Sequence, residues 1–223
     1  MKIIARIHTD YKEKFGIPRQ SGISKESVGR VVFSPEYRVP EALRGLDGYS
    51  HIWLLWQFSE AVREGWSPTV RPPRLGGNRR VGVFATRSPY RPNSIGLSSV
   101  RLLGIEHTDK DGDVLIVSGA DMLDGTPIID IKPYLPYTDS HPDATGGFAD
   151  GVLGYKLRVY ISEDKLSIVS ADKRGALIEA LEGDPRPSYQ DDPDREYGMR
   201  YSDYEVKFKV KDGVLTVTSI YCI

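Results

Sequence analysis

Short apolar segments separated by Gly and Pro dominate the first two-thirds of the chain. Seven of them are rich in Val, Ile, Leu or aromatic residues and predict β-strands at residues 3–8, 27–33, 51–58, 81–85, 97–105, 114–118 and 128–131. A short helix is predicted at residues 40–46, with Pro40 at an early helical position. No βαβ rhythm accompanies these segments, so a doubly wound sheet is not expected. The pattern predicts a mainly β N-terminal domain, built as a barrel or a sandwich.

The pattern changes after a polar stretch rich in Asp and Gly. We interpret residues 141–151 as a linker between an N-terminal domain at residues 1–140 and a C-terminal domain at residues 152–223. The second part predicts a strand and then a helix, at residues 153–161 and 172–181. Strict alternation then predicts strands at residues 204–210 and 214–221, joined by an Asp212-Gly213 turn. These elements predict a small α+β domain.

Composition and cysteine content limit the class of protein. The 223 residues are 39% hydrophobic and 10% aromatic, which is typical of a folded chain. No apolar run approaches the roughly 20 residues of a membrane-spanning helix, and charges interrupt the N-terminus before a secretory signal could form. Cys222 is the single cysteine, so no internal disulfide is possible, and four scattered His with one Cys offer no zinc spacing. We expect a cytoplasmic protein without a metal.

The formal net charge of −1 hides an uneven distribution of charge along the chain. Residues 65–105 contain seven Arg and no Asp, Glu, Lys or His, so the remaining residues sum to −8. Guanidinium groups bind phosphates or carboxylates bidentately and stack on bases, which an ammonium cannot do. The block therefore indicates anion or RNA recognition, although an ordinary solvated face remains an alternative.

Several common catalytic motifs do not occur in the sequence. There is no G-x-G-x-x-G after a strand, no G-x-x-x-x-G-K-[ST], no H-E-x-x-H and no G-x-S-x-G. Four compact, polar stretches remain as candidates for chemistry, at residues 15–20, 71–78, 84–97 and 121–134. Stretches of this kind hold fixed shapes and commonly carry functional sites.

These stretches closely resemble the TsaA/TrmO-like family of tRNA methyltransferases. The most specific segments are F-A-T-R-S-P-Y-R-P-N-S-I-G-L at residues 84–97, L-D-G-T-P at residues 123–127 and D-I-K-P-Y-L-P from Asp130. The match covers residues 4–137, and a weaker one covers D-P-R-P-S-Y and Y-G-M-R in the second domain. The resemblance implies a small β-barrel that uses S-adenosylmethionine to methylate N6 of threonylcarbamoyladenosine, the modified base 3′ to the anticodon of certain tRNAs.

The resemblance also implies the residues that contact the cofactor. They are Pro18, Arg19, Gln20, Ser59, Glu60, Arg87, Leu97, Leu123, Asp124, Gly125 and Thr126. At Ser59-Glu60 the chain departs from the His followed by a polar residue that relatives often have. Arg19 or Arg87 could bind the cofactor carboxylate bidentately. Asp124 is a candidate for the ribose hydroxyls or the sulfonium, and its alternative is a simple Asp-Gly turn.

The acceptor nitrogen belongs to a urea-like group and is a poor nucleophile until its proton leaves. We therefore expect a base or cation nearby, with Asp130, Lys132 and Tyr134 as the catalytic candidates. A structural ion pair between Asp130 and one of the Arg is an equal alternative for that carboxylate.

The arginine block supplies candidates for RNA contact. These are Arg71, Arg74, Arg79, Arg80 and Arg91, while Tyr90 or Tyr134 could stack on an unpaired base. The expected partners are tRNA and, from the resemblance alone, a second copy of the chain in a homodimer. Two alternatives stay open: a non-catalytic RNA-binding module, and a methyltransferase for another small nucleophile.

Overall fold

The chain forms a closed β-sheet followed by a smaller open sheet. A computed structural model describes residues 1–60, 65–72, 79–152, 154–186 and 192–223. Its N-terminal strands are β1 (Ala5–His8), β2 (Val28–Phe33), β3 (His51–Gln57), β4 (Thr69–Val70), β5 (Val81–Gly82), β6 (Ile95–Thr108), β7 (Gly112–Ser118) and β8 (Thr126–Pro133).

Six of these strands form one antiparallel sheet in the order β1-β2-β7-β6-β3-β8, and β8 pairs again with β1. This pairing closes the sheet into a barrel. Along β3, Ile52, Leu54 and Trp56 are buried while the residues between them are partly exposed, because successive side chains of a strand point to opposite faces. The predicted mainly β character of the N-terminal part is confirmed.

Two predicted N-terminal elements differ from what the structure has. The helix predicted at residues 40–46 is a pair of 3-10 turns, Pro40–Leu43 and Leu46–Gly48, because Gly45 lies in the left-handed region with φ +84° and interrupts the helix. The strand predicted at residues 81–85 ends at Gly82 and continues as the 3-10 turn Val83–Ala85. The predicted helix was wrong in kind, and the predicted strand was too long by three residues.

The C-terminal part contains a four-stranded sheet. Its elements are β9 (Arg158–Tyr160), α2 (Glu163–Leu166), α3 (Ala171–Glu182), β10 (Tyr197–Tyr201), β11 (Tyr204–Lys211) and β12 (Val214–Cys222), preceded by α1 (Pro136–Asp139). The strand order is β10-β11-β12-β9, with β9 parallel to β12. Asp212 and Gly213 both have positive φ and turn β11 into β12, as a type I′ hairpin requires. The predicted α+β character is confirmed, although the strand expected at residues 153–161 is reduced to β9.

Two hydrophobic cores support these sheets. One fills the closed sheet, and the other lies between α3 and the C-terminal sheet. Tyr11, from the N-terminal part, is 1% exposed and belongs to the second core. A segment near the N-terminus is therefore anchored in the C-terminal part. None of the helices among the described residues is long and apolar enough to cross a membrane.

Candidate active site

A cavity of about 720 Å³ is lined by residues from four segments of the N-terminal part, at 14–20, 56–60, 86–97 and 121–126. Its volume is in the range typical of small-molecule sites, about 300–1,000 Å³. Of the eleven residues predicted to contact the cofactor, nine line it, namely Pro18, Arg19, Gln20, Ser59, Glu60, Arg87, Leu97, Leu123 and Thr126. Residues that are distant in sequence thus line the same cavity.

One side of the cavity is built by the closed sheet. Trp56 and Gly96 are register partners on β3 and β6, and a Cβ on Gly96 would lie 2.2 Å from Cε2 of Trp56. The indole therefore lies against the Gly96 backbone at a distance that any other residue would prevent. Trp56 Nε1 donates to Ser98 Oγ (2.9 Å), and Ser98 Oγ donates to Asp121 Oδ1 (2.5 Å). The three side chains form one hydrogen-bonded chain that ends at a carboxylate on the cavity wall.

Asp121 is the partly buried carboxylate at the end of this chain. Burial raises the pKa of Asp121, while the hydrogen bond from Ser98 and the positive charge of Arg87 act in the opposite direction. A raised pKa at a cavity wall is typical of a functional carboxylate, although structural carboxylates show it too. Asp121 is therefore a site candidate on geometry and electrostatics together.

The loop between β5 and β6 forms another boundary of the cavity and is braced by its own hydrogen bonds. Thr86 Oγ1 donates to Val83 O (2.8 Å), and Arg91 Nη1 donates to Thr86 O (3.0 Å). Arg87 Nη1 donates to Gln20 Oε1 (2.6 Å), which connects this loop to the stretch that carries Pro18 and Arg19. The predicted Pro-Arg-Gln and Thr-Arg-Ser motifs are therefore in direct contact.

Two of the lining residues form an ion pair: Glu60 Oε2 lies 3.1 Å from Lys14 Nζ, and both side chains are more than half exposed. Ser59 and Glu60 line the cavity although they depart from the family pattern. Their position is compatible with cofactor contact, which stays a prediction.

The predicted cofactor residues Asp124 and Gly125 do not line the cavity with the others. Asp124 accepts a hydrogen bond from Thr9 N (3.1 Å) and lies 2.9 Å from Lys12 Nζ. Burial raises the pKa of Asp124, but the bonds from Lys12 and Thr9 outweigh it and the net shift is downward. Gly125 occupies the left-handed region with φ +76°, and its N–H donates to Ile7 O. This arrangement favours the alternative of a turn that holds the end of β1.

The catalytic candidates Asp130, Lys132 and Tyr134 lie outside the cavity lining, on or just after β8. Asp130 Oδ2 is 2.9 Å from Lys132 Nζ, and both side chains are well exposed. The ion pair expected with an Arg is thus formed with Lys132. The Tyr134 ring packs beside Trp53, with 5.6 Å between ring centroids. Within one chain the structure does not bring these three side chains to the cavity.

The predicted RNA contacts divide into two groups. Arg91 lines the cavity, while Arg71, Arg79 and Arg80 are exposed near the β4–β5 ladder. Arg80 Nη1 donates to Thr69 Oγ1 (3.0 Å) on that ladder. Arg74 lies outside the described residues.

Sequence reasoning missed two further features of this region. Trp66 and Phe84 flank the ladder, are 50% and 71% exposed, and stack with 5.9 Å between ring centroids. The Trp56–Ser98–Asp121 chain was also missed. A serine inside an apolar strand and a tryptophan that needs an acceptor were its available signals. Among the described residues, no group of three or more His, Cys, Asp and Glu could hold a metal ion.

Comparisons with known proteins show similar sequences and a similar fold. The tRNA (adenine(37)-N6)-methyltransferase of Escherichia coli (strain K12) is 40% identical over 225 residues, which cover 97% of this chain and 95% of that protein. A protein of Pseudomonas aeruginosa named as an S-adenosylmethionine-dependent methyltransferase is 42% identical over 223 residues, covering 91% of this chain and 89% of its own length. The crystal structure of TrmO from Pseudomonas aeruginosa superposes with a TM-score of 0.77 at 34% identity, covering 98% of this chain and 96% of that one.

Two family models match separate parts of the chain. The tRNA-methyltransferase O N-terminal domain matches residues 6–140, and the TrmO C-terminal domain matches residues 158–223. The first match alone covers more than half of the sequence. The chain therefore belongs to the tRNA-methyltransferase O family.

Proposed function

We propose that this protein is an S-adenosylmethionine-dependent methyltransferase that methylates N6 of threonylcarbamoyladenosine at position 37 of tRNA, next to the anticodon. The observation that carries the proposal is the gathering of nine predicted cofactor residues around one cavity. The names of the Escherichia coli and Pseudomonas aeruginosa relatives support the reaction and the methyl donor.

The residues of the cavity fit the chemical groups of the cofactor. S-adenosylmethionine combines a sulfonium cation, an amino-acid end, a ribose and an adenine. Arg87 and Gln20 offer polar groups at one boundary, and Leu97 and Leu123 offer apolar surface for an adenine. The cavity also holds Asp121 as an anionic group.

The cofactor, when bound, supplies a methyl group activated by its sulfonium. The contribution of the chain is to hold donor and acceptor in line, since alignment is the main source of rate in such a transfer. Trp56 and Leu97 lie on the paired strands β3 and β6, and the loop around Arg87, braced by its own hydrogen bonds, lines the same cavity. Asp130, Lys132 and Tyr134 keep their proposed part in removing the acceptor proton, although they lie outside the cavity of a single chain.

We further propose that Arg71, Arg74, Arg79, Arg80 and Arg91 contact the tRNA, with the phosphates or the threonine carboxylate of the modified base as targets. Exposed guanidinium groups on Arg79 and Arg80 support this role. Trp66 and Phe84 add exposed ring faces beside them, on which an unpaired base can stack.

The organisation of the chain is part of the proposal. We assign residues 1–140 to the methyltransferase domain, 141–151 to a linker and 152–223 to the C-terminal domain. A homodimer remains proposed from the family resemblance, and a tRNA substrate is consistent with action in the cytoplasm.

The decisive assay measures methyl transfer to tRNA with and without the threonylcarbamoyl group, read by mass spectrometry of digested tRNA. We expect a 14-dalton increase only on the threonylcarbamoylated nucleoside. Transfer to unmodified tRNA or to another nucleophile would replace the proposed substrate. Cofactor and tRNA binding without transfer would identify a non-catalytic RNA-binding module instead.

A further inference from the structure

The C-terminal sheet has one face that is buried and one that is exposed. The buried face packs on α3 through the second hydrophobic core. Because successive side chains of a strand point to opposite faces, every second residue of β9, β10 and β11 lies on the exposed side. Five of these residues are cations: Arg158, Arg200, Lys207, Lys209 and Lys211. We call this exposed side the basic face.

Strand pairing sets the spacing of these cations. Lys209 of β11 and Tyr160 of β9 are both register partners of Thr216. Lys211 and Arg158 share a partner on β12 in the same way. Neighbouring strands lie about 5 Å apart and alternate residues of one strand about 7 Å apart, so these groups form a cationic area about 10 Å wide. Such an area can contact several backbone phosphates of an RNA at once.

The cations of the basic face outnumber its carboxylates. On the strands themselves the carboxylate of this face is Glu205, whose Oε1 is 2.7 Å from Lys207 Nζ and whose Oε2 is 3.8 Å from Arg200 Nε. The acidic residues that flank these strands lie outside them, at Glu196, Asp203 and Asp212. Glu205 therefore pairs with cations at the β10 side of the face and leaves those nearer to β9 unpaired.

Three cations of the basic face are exposed and have no acidic partner. In the part of the chain that the structure describes, no carboxylate lies within ion-pair distance of Lys209, Lys211 or Arg158. Their separations are within a Debye length of about 8–10 Å, so the three charges repel one another. A polyanion that lies on the face relieves this repulsion. Nucleic acid is such a polyanion.

The basic face begins beside the segment that lines the cavity. Arg200 N, on the edge strand β10, donates to Glu13 Oε1 (2.9 Å), and the next residue, Lys14, lines the cavity. Lys209 is one strand further from this edge, and Arg158 is three strands further, about 15 Å across the sheet. An RNA that places one base in the cavity can therefore lay neighbouring backbone on the face.

We propose that the basic face binds backbone phosphates of the tRNA outside the nucleotide that enters the cavity, through Lys209, Lys211 and Arg158. The inference rests on the proposed function, because the polyanion that it assigns to the face is the tRNA substrate. Phosphate contacts position a nucleic acid without reading its sequence. The C-terminal part thus contributes tRNA affinity, while the cavity of the N-terminal part carries the methyl transfer.

The experiment measures tRNA binding and methyl transfer in a variant with a less basic face. Lys209→Gln combined with Lys211→Gln keeps the length of both side chains and removes two charges. The matched control combines Lys25→Gln with Lys110→Gln, which removes two charges from exposed lysines of the N-terminal part. Each variant is also titrated with S-adenosylhomocysteine, the cofactor after loss of its methyl group, and thermal unfolding checks that it is folded.

We expect the variant of the basic face to raise KM for tRNA by about three- to tenfold at physiological salt, with kcat unchanged. The reason is that a lost phosphate contact weakens binding of the ground state and of the transition state equally. The slope of log K for tRNA against log salt should fall by about two, one for each lost contact. S-adenosylhomocysteine affinity should stay the same, and the control should change KM by less than about twofold.

Four results would overturn the assignment. If the wild type methylates tRNA and the two variants have the same KM and salt slope, the basic face is wrong and the proposed function stands. A fall in kcat or in S-adenosylhomocysteine affinity would mean that the lysines act on the cavity. A change of oligomeric state with unchanged tRNA affinity would assign the face to a contact between copies of the chain. A wild type that neither binds nor methylates tRNA would remove the proposed function, and the assignment with it.

Discussion

Two sides of the cavity differ in how the chain holds them. The first side, which we call the sheet wall, consists of Trp56, Gly96, Leu97 and Asp121, and it is supported by the ladder between β3 and β6. The second side, the segment wall, comes from residues 14–20, which have neither helix nor strand. A sheet fixes its side chains through its own hydrogen bonds, whereas an irregular segment needs external support.

The C-terminal part supplies much of that support. Ser202 N donates to Asp10 O (2.7 Å), Arg200 N donates to Glu13 Oε1 (2.9 Å), and the bridge between Tyr11 and Tyr201 joins the same two regions. These contacts lie just before the segment wall.

Helix α3 holds the chain just after the segment wall. Glu179 Oε2 accepts hydrogen bonds from Ser24 Oγ (2.7 Å) and Glu26 N (3.0 Å). Inside the wall, Gly16 lies against Met199 of β10, with 3.0 Å from an added Cβ to Sδ. The closed sheet thus defines one side of the cavity, while the C-terminal part positions the segment wall.

The largest effect is expected from Gly96→Ala in the sheet wall. The new Cβ would overlap the Trp56 ring and force it to move, at a cost of about 1–3 kcal/mol in the free energy of unfolding. S-adenosylhomocysteine binding should weaken by more than about tenfold, because Trp56 lines the site. Thermal unfolding and calorimetry measure both. Gly104→Ala on the same strand meets nothing within 4 Å and is the control; equal effects of the two changes would contradict the close Trp56 contact.

A smaller effect is expected from Glu179→Ala, which acts on the segment wall from a distance. The change leaves the buried Ser24 hydroxyl without this acceptor and costs about 1–3 kcal/mol of stability. Cofactor affinity should fall by about three- to tenfold, with the off-rate rising as the segment loosens. Glu182→Ala is the control, since Glu182 on the same helix pairs with Lys156 instead. Unchanged affinity in Glu179→Ala would show that the segment wall does not depend on α3.

Gly16→Ala and Gly22→Ala separate backbone strain from contact with the C-terminal part. Both glycines have positive φ, so both changes cost about 1–2 kcal/mol in backbone strain. Only the Cβ at Gly16 meets Met199, while that at Gly22 meets nothing within 4 Å. We expect Gly16→Ala to weaken S-adenosylhomocysteine binding about threefold more than Gly22→Ala, as the segment shifts away from β10. Equal affinities measured by calorimetry would remove Met199 from the support of the wall.

Replacing both Arg79 and Arg80 by Ala should leave the sheet wall and the segment wall unchanged. We expect unchanged S-adenosylhomocysteine affinity and weaker tRNA binding, with the salt dependence of log K reduced by about one for each phosphate that the variant no longer neutralises. Titrations of tRNA at several salt concentrations measure this slope. The same slope and the same low-salt affinity as in the wild type would exclude these two arginines from the RNA surface.

The smallest effect on the cavity is expected from Asp130→Asn. Its ion pair with Lys132 is exposed, so stability should change by less than about 1 kcal/mol and cofactor affinity should stay the same. Turnover on tRNA should fall if Asp130 helps to remove the acceptor proton. Unchanged turnover with intact cofactor affinity would remove Asp130 from the mechanism.

The hydrophobic pattern and the motifs of the sequence predicted the parts of the molecule that depend on residues close together in the chain. The sequence predicted the alternation of β11 and the Asp212-Gly213 turn, because a two-residue turn fixes the register of its strands. The cofactor residues came from motif resemblance, and most of them gather at the cavity.

The features that the sequence did not predict depend on pairings between residues that are distant in the chain. Trp56 meets Gly96 only through the register of β3 and β6, and neither residue signals this contact in its own segment. Likewise, Tyr11 enters the C-terminal core through a bridge to Tyr201, 190 residues later. For the same reason the sequence does not indicate that Asp121 lines the cavity whereas Asp124, three residues later, does not.

A crystal structure of the protein with S-adenosylhomocysteine tests the two-walled site most directly. We predict the ligand between the sheet wall and the segment wall, in contact with both Gln20 and Leu97. A ligand bound on the outer face of β8, or one that contacts the sheet wall alone, would contradict this account.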